Sequence, residues 1–246
     1  MTAPGIIDLP SPNFGPRKDG ARIDMLVLHY TGMKSCAEAL ARLVDPAAQV
    51  SAHYVIDEDG TIYRMVDETM RAWHAGEGAW RGAGDVNSRS IGIELVNPGH
   101  EFGYREFPSA QMDALIGLAR DILARHAIRP IDVVGHSDVA PQRKTDPGEK
   151  FDWRALAAAG IGVWPRRPSM AAALDTGPYG DERVLLTEAQ TRLARIGYGI
   201  DATGRADEAT AAVLRAFQRR FRPKRIDGRL DAETFALIEA VLALAG

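Results

Sequence analysis

Two histidines of the 246-residue sequence stand at the ends of apolar segments. His29 lies near the end of an apolar run over residues 25–30, and His136 closes a second run over residues 131–136. A buried imidazole without a partner costs free energy, so a neighbour must satisfy each ring. Asp146 follows ten residues after His136, just before a Pro-Gly pair that sets a turn. Two imidazoles and one carboxylate can hold a catalytic zinc ion with one position open to water, although spacing alone favours ordinary hydrogen-bonded histidines at strand ends.

The segments that must position these residues alternate between strand and helix patterns. Residues 25–30 are almost wholly apolar, which is typical of a strand buried on both faces. In the predicted strand 90–96, alternation places Glu94 on the face opposite the bulky Ile91, Ile93 and Leu95. The remaining predictions are strands at 54–57, 61–66 and 131–136, a helix at 35–44, and a helix capped by Ser109 that ends near His126. This order predicts an α/β domain with helices packed on a mixed central sheet.

Three segments resemble one enzyme family. They are residues 28–31 (Leu-His-Tyr-Thr), residues 90–94 (Ser-Ile-Gly-Ile-Glu) and residues 135–148 (Gly-His-Ser-Asp-Val-Ala-Pro-Gln-Arg-Lys-Thr-Asp-Pro-Gly). Together with Trp-His-Ala-Gly at 73–76 and Phe-Asp-Trp at 151–153, they resemble the type 2 zinc N-acetylmuramoyl-L-alanine amidases of the AmpD/AmiD kind. The resemblance covers about residues 8 to 156 in order. It implies the fold of the peptidoglycan-recognition proteins.

The resemblance also implies roles for five residues. It implies one zinc ion per chain held by His29, His136 and Asp146, a catalytic Glu94 and a catalytic Lys144. Zinc polarises an amide carbonyl and lowers the pKa of bound water toward roughly 7. Glu94 can then accept a proton and return it to the departing alanine nitrogen. Lys144 precedes Asp146 by two residues, so both side chains project the same way in an extended segment and the ammonium can stabilise an oxyanion.

Other polar and aromatic residues are weaker candidates for substrate contacts. His53 and His74 resemble lining positions of the family's cleft, and the aromatic and charged side chains nearby can contact a sugar or a peptide carboxylate. The predicted substrate-binding residues are Tyr30, His53, Trp73, His74, Asn87 and Arg89. His100 lies in a polar loop and His126 near a helix end, so neither is predicted to bind metal.

Composition changes after residue 163 and predicts two domains. We expect a catalytic domain at 1–166, a linker at 167–181 rich in proline and glycine, and a three-helix domain at 182–246. Within the last, Gly-Arg-Ala-Asp-Glu-Ala-Thr at 204–210 recurs as Gly-Arg-Leu-Asp-Ala-Glu-Thr at 228–234, where each Asp can cap the following helix.

The C-terminal helices resemble the type 1 peptidoglycan-binding domain. The matching residues are 184–190 (Val-Leu-Leu-Thr-Glu-Ala-Gln), Leu193, Gly197, Tyr198, 216–218 (Ala-Phe-Gln), Asp227 and Gly228. Such a module tethers a catalyst to glycan or stem peptide. The alternative is that Leu214, Phe217 and Leu230 are simply core residues and the helices only pack against the amidase. A basic cluster lies at residues 219–225.

Charge and composition exclude several function classes. The formal charge of −3 and the pI near 6.1 provide no overall attraction for nucleic acid, so no nucleic-acid partner is expected. Cys36 is the single cysteine, which excludes an intrachain disulfide and favours a small buried apolar side chain. No segment has the roughly 20 apolar residues needed to span a bilayer, so no membrane insertion is expected.

The family resemblance implies an enzyme that hydrolyses the amide between N-acetylmuramic acid, or its 1,6-anhydro form, and L-alanine of the stem peptide. The expected partners are peptidoglycan fragments or the sacculus, and the expected form is a monomer. The N-terminus lacks a basic start followed by an apolar run, which predicts a cytoplasmic location, or a periplasmic one if a leader has been removed. This favours recycling of soluble anhydro-muropeptides over intact sacculus. The alternative is a non-catalytic peptidoglycan-binding protein on the same fold.

Overall fold

The computed structural model describes residues 5–18, 20–166 and 182–245, and the linker predicted at 167–181 lies outside them. The strands are β1 (Ile6–Asp8), β2 (Phe14–Pro16), β3 (Met25–Tyr30), β4 (Tyr54–Ile56), β5 (Ile62–Arg64), β6 (Met70–Ala72), β7 (Ser90–Leu95) and β8 (Val133–Gly135). Six of them form a mixed central sheet in the order β1-β5-β4-β7-β3-β8. Adjacent strands of this sheet are parallel except for the predicted hairpin of β4 and β5, while β2 and β6 form a separate antiparallel pair.

Helices cover both faces of this sheet, so the predicted α/β fold is confirmed. The helices of the first 166 residues are α1 (Cys36–Val44), α2 (Val86–Arg89), α3 (Gly99–Phe102), α4 (Ser109–Arg125), α5 (His136–Val139) and α6 (Trp153–Ala158). Three more, α7 (Glu182–Ile196), α8 (Glu208–Phe221) and α9 (Ala232–Ala243), form the C-terminal module. Over the described residues, none of the helices combines the length and apolarity required to cross a bilayer.

One face of the sheet packs against the long helix α4. The alternation along β3 and β7 directs Leu28 and Ile93 to this face, where they join Leu115 and Ile122 of α4 in one buried cluster. The apolar stripe predicted along α4 is therefore the surface that covers the sheet.

The C-terminal module covers part of the opposite face. Val27 of β3 and Val134 of β8 share a buried cluster with Leu193 of α7 and Phe217 of α8. Leu214 belongs to the same cluster and Leu230 packs against it. The core of the module is therefore continuous with the core of the catalytic part.

The internal repeat folds as its residues predict. Asp207 and Asp231 cap α8 and α9, because their carboxylates accept the backbone N–H groups of Thr210 and Thr234 at 2.9 and 2.8 Å. The glycine that begins each copy adopts a positive φ, of +67° at residue 204 and +70° at residue 228.

Three local predictions are wrong. Ser109 is the first helical residue of α4 rather than its cap, since Pro108 occupies the cap position without a side-chain hydrogen bond. The predicted strand 131–136 is shorter, because a 3₁₀ turn over Pro130–Asp132 precedes β8 and His136 begins α5. Cys36 is only partly buried, at the start of α1, where it packs on a small apolar cluster.

Candidate active site

His29, His136 and Asp146 converge on one buried point. His29 comes from β3, His136 begins α5, and Asp146 lies in the loop that follows α5. The Nδ1 atoms of the two histidines are 2.9 Å apart, and each lies 3.0 Å from Oδ2 of Asp146. The three side chains are buried, and their ligand atoms all lie within 4.8 Å of one another. Such a set of nitrogen and oxygen atoms can hold one cation.

Hydrogen bonds on the far side of each ring determine which nitrogen faces this point. Nε2 of His136 lies 2.9 Å from the carbonyl oxygen of Ala75, which can only accept, so this nitrogen carries the proton of the neutral ring. The Nδ1 atom of His136 therefore directs a lone pair at the cluster. Metal-binding histidines are commonly held by such a backbone contact.

A chain of bonds gives His29 the same orientation. The Ser90 hydroxyl donates to the carbonyl oxygen of Val86 at 2.6 Å, so its oxygen accepts from Nε2 of His74 at 3.1 Å. The Nδ1 atom of His74 then accepts from Nε2 of His29 at 3.0 Å. Burial, followed by the neighbouring His136, lowers the pKa of His29 to about 4, so the ring is neutral at pH 7. In the neutral form, each ring held in this way presents an unprotonated Nδ1, as a metal ligand must.

Glu94 lies beside this cluster, and one of its carboxylate oxygens accepts no hydrogen bond from the described residues. The register of the parallel strands β3 and β7 pairs it with His29, and alternation places both side chains on the same face. Its Oε2 atom is buried and has no hydrogen-bond partner among the described residues. Burial, and then the nearby Asp146, raises the pKa of Glu94 well above its usual value, while Lys144 acts in the opposite direction. A buried carboxyl with a raised pKa can donate a proton as well as accept one.

An open cleft of about 350 Å³ gives access to the cluster. Of the predicted residues, it is lined by Tyr30, Trp73, His74, Glu94, His136, Lys144 and Asp146. His29 lies deeper, behind this surface, with an exposed fraction of 1%. The structure thus brings the predicted ligands, the predicted proton carrier and the predicted lysine to one cleft.

Three of the predicted substrate contacts lie outside this cleft. His53 is fully buried and accepts the backbone N–H of Gly92 at Nδ1. Asn87 is also buried, and its side-chain oxygen accepts the N–H groups of residues 74 and 75. Arg89 forms an ion pair with Asp24 at 2.9 Å. These three side chains make supporting contacts within the protein and do not line this cleft.

Two charged residues of the cleft were missed by the sequence interpretation. Arg42 of α1 and Arg143, next to Lys144, both line the cleft and add positive charge to it. The position of Arg143 within the family-like segment 135–148 was the available signal, whereas nothing in the pattern of α1 distinguished Arg42 from a solvated arginine. His100 and His126 lie away from the cluster, in contact with Glu149 and Glu68 respectively.

Comparison with known proteins agrees with this geometry. Residues 19–149 match the family described as "N-acetylmuramoyl-L-alanine amidase". The chain belongs to the N-acetylmuramoyl-L-alanine amidase family. Residues 183–238 of this amidase match the family described as "Putative peptidoglycan binding domain". The predicted family and the predicted C-terminal resemblance are thus confirmed.

The amidase is similar to several curated and solved relatives. It is 43% identical over 235 residues to N-acetylmuramoyl-L-alanine amidase AmiD of Escherichia coli, an alignment that covers 90% of this chain and 83% of the relative. The structure of Escherichia coli AmiD with anhydro-N-acetylmuramic acid-L-Ala-D-γ-Glu-L-Lys matches with a TM-score of 0.78 at 40% identity, and covers 92% of this chain and 91% of that one. AmpDh3 of Pseudomonas aeruginosa, in complex with anhydromuramic pentapeptide, matches with a TM-score of 0.77 at 35% identity and 94% coverage of both chains.

Proposed function

We propose that this amidase is a zinc enzyme that cleaves the bond between 1,6-anhydro-N-acetylmuramic acid and L-alanine in soluble muropeptides. The observation that carries the proposal is the meeting of two imidazole Nδ1 atoms and one carboxylate oxygen beside the unpartnered Oε2 of Glu94. The nitrogen and oxygen donors suit zinc, and three protein ligands leave a position for water or substrate.

The residues around the cluster provide the acid-base chemistry that amide cleavage requires. Zinc, when bound, polarises the amide carbonyl and lowers the pKa of water to roughly 7. Glu94 accepts the proton of the attacking water at Oε2 and returns it to the alanine nitrogen, which must be protonated to leave. Lys144, which lines the same cleft, stabilises the negative charge that develops on the carbonyl oxygen.

The charges of the cleft support an acidic peptide as part of the substrate. Arg42, Arg143 and Lys144 line the cleft, and the carboxylates of a stem peptide can pair with such cations. The complexes of the AmiD and AmpDh3 relatives contain anhydromuramic acid linked to peptides. These ligands favour soluble anhydro-muropeptides over intact sacculus.

Mass spectrometry of the reaction products tests the metal requirement, the amidase activity and the choice of substrate in one experiment. The full chain is incubated with anhydro-muropeptides and, separately, with intact sacculi, each with and without a zinc chelator. We expect free peptides beginning with L-alanine from the soluble fragments, and we expect the chelator to abolish their release. Glu94→Gln, which keeps the ligand set, is the matched control and is expected to bind zinc without releasing peptide.

Other outcomes would contradict parts of this proposal. Efficient release of peptide from sacculi would show that the intact cell wall is the substrate and would favour an envelope location. No release by zinc-loaded protein from either material, with binding that survives Glu94→Gln, would support the non-catalytic binding protein instead.

A further inference from the structure

Asp138, two residues after the predicted ligand His136, is held by the C-terminal module. It is 1% exposed, and its Oδ2 accepts Nη1 of Arg220 from α8 at 2.9 Å. Its Oδ1 accepts the hydroxyl of Tyr198, which follows α7, at 2.7 Å. Both oxygens of this carboxylate therefore bind donors that lie at least 60 residues away in the sequence.

Arg220 is buried and held in this contact by further interactions. It is 4% exposed, its Nη2 donates to the carbonyl oxygen of Val133 at 3.0 Å, and its guanidinium lies 4.1 Å from the centre of the Trp153 ring. Its Nε has no hydrogen-bond partner among the described residues. A buried ion pair commonly adds little net stability compared with apolar side chains of similar size. Apolar packing of the module against the sheet would therefore not require this pair.

Asp138 in turn determines where the helix that carries His136 begins. Its Oδ2 also accepts the backbone N–H of Gly135 at 2.9 Å, which closes the first turn of α5 around His136. The amide of Ser137 donates to the carbonyl oxygen of Asp146 at 2.9 Å. The segment 135–138 thus links the buried carboxylate to two of the three predicted ligands.

We propose that Arg220 and Tyr198 are positioning residues for the metal centre. They hold Asp138, and Asp138 holds the backbone from which His136 reaches the cluster. The module is then part of the scaffold of the active site, in addition to any role in binding peptidoglycan. This inference rests on the proposed zinc site, so its test compares variants with the parent protein.

The decisive variant is Arg220→Met, compared with Arg222→Met in the full chain. Arg222 is also buried, at 3% exposure, but pairs with Asp231 inside the module, 2.6 Å away. Three quantities are measured. Zinc affinity is obtained by competition with a chelator, and the melting temperature is obtained by thermal unfolding of the metal-free protein. The third quantity is the rate of hydrogen exchange over residues 135–139. We expect Arg220→Met to weaken zinc binding about 10- to 100-fold and to accelerate exchange over that segment, as loss of outer contacts to a ligand commonly does.

The control separates positioning from general stability. Arg222→Met is expected to lower the melting temperature while changing zinc affinity less than about twofold, because its contacts do not reach the ligands. If Arg220→Met does not fold, Tyr198→Phe removes one hydrogen bond to Asp138 and keeps the ring, which lies 5.2 Å from Trp80. We expect this variant to weaken zinc binding about threefold to tenfold.

Two results would overturn the inference. One is unchanged zinc affinity in Arg220→Met and in Tyr198→Phe, with lowered melting temperatures. The other is equal loss of affinity in Arg220→Met and Arg222→Met. If the parent itself binds no zinc, the proposed function fails, yet exchange over residues 135–139 in the metal-free protein still decides whether Arg220 holds this segment.

Discussion

Asp138 and Asp146 are two buried carboxylates eight residues apart with opposite surroundings. Asp138 is bound by a guanidinium, a hydroxyl and a backbone N–H, all of which are donors. Oδ2 of Asp146 instead faces two imidazole nitrogens that direct lone pairs at it when the rings are neutral. With both rings neutral, these three acceptor atoms meet without a donor, and the negative charge of Asp146 is not compensated by them. A buried acid among donors supports the fold, whereas a buried acid among acceptors suits the cation that we propose for this site.

Asp146→Asn is expected to have the largest effect on activity. Loss of the ligand should abolish zinc binding and lower amidase activity at least about a thousandfold, since the metal contributes several kcal/mol to the reaction. The metal-free variant should be at least as stable as the parent, because the new amide can donate to a facing Nδ1. Metal analysis, product assays and thermal unfolding of the metal-free protein measure these changes. Strong destabilisation would mean that Asp146 supports the fold and would remove the contrast with Asp138.

Asp138→Ala is expected to lose the stability that Asp146→Asn keeps. Removal of this carboxylate leaves Arg220 buried without its counter-charge, which should cost about 3–5 kcal/mol of unfolding free energy. Denaturant unfolding of the metal-free protein measures this loss. Ser109→Ala is the control, because that serine makes no capping hydrogen bond and its loss should change stability little. An Asp138→Ala protein as stable as the parent would show that the donors around this carboxylate are not needed.

Glu94→Gln should affect turnover alone. Without an ionisable group at this position, kcat should fall by about 10² to 10⁴. Zinc affinity should remain close to that of the parent, because Glu94 is not among the three side chains that converge as proposed ligands. Kinetics with zinc-saturated enzyme, together with chelator competition, distinguish the two effects. If zinc affinity fell together with kcat, Glu94 would be a further metal ligand and would belong to the cluster.

His74→Phe should have the smallest effect. The variant keeps a ring but loses the nitrogen that accepts from His29, so zinc should bind about 10- to 100-fold more weakly. At saturating zinc, kcat should be nearly restored. Titration of activity with zinc measures both quantities. A low kcat that zinc does not restore would indicate that His74, which lines the cleft, acts on the substrate directly.

Much of the fold and of the cleft was predictable from local pattern. Alternation along residues 90–95 places Glu94 opposite the bulky side chains, because successive side chains of a strand point to opposite faces. The repeated Gly and Asp of the module determine two helix caps, because each capping hydrogen bond joins residues that are only three positions apart in the sequence. The predicted ligand set and the predicted roles of Glu94 and Lys144 came from the resemblance of residues 28–31, 90–94 and 135–148 to a family.

The tertiary structure decided which polar residues face the cleft and which support it. His53, Asn87 and His74 are all buried polar side chains near family-like motifs, yet only His74 lines the cleft, since this depends on strand register and loop packing. The apolar run of β3 predicts burial on both faces but cannot identify what covers each one. The pairing of Asp138 with Arg220, 82 residues apart, follows from packing of the module on the sheet. The sequence by itself determined contacts that close within a few residues, whereas contacts between distant segments required the folded chain to bring them together.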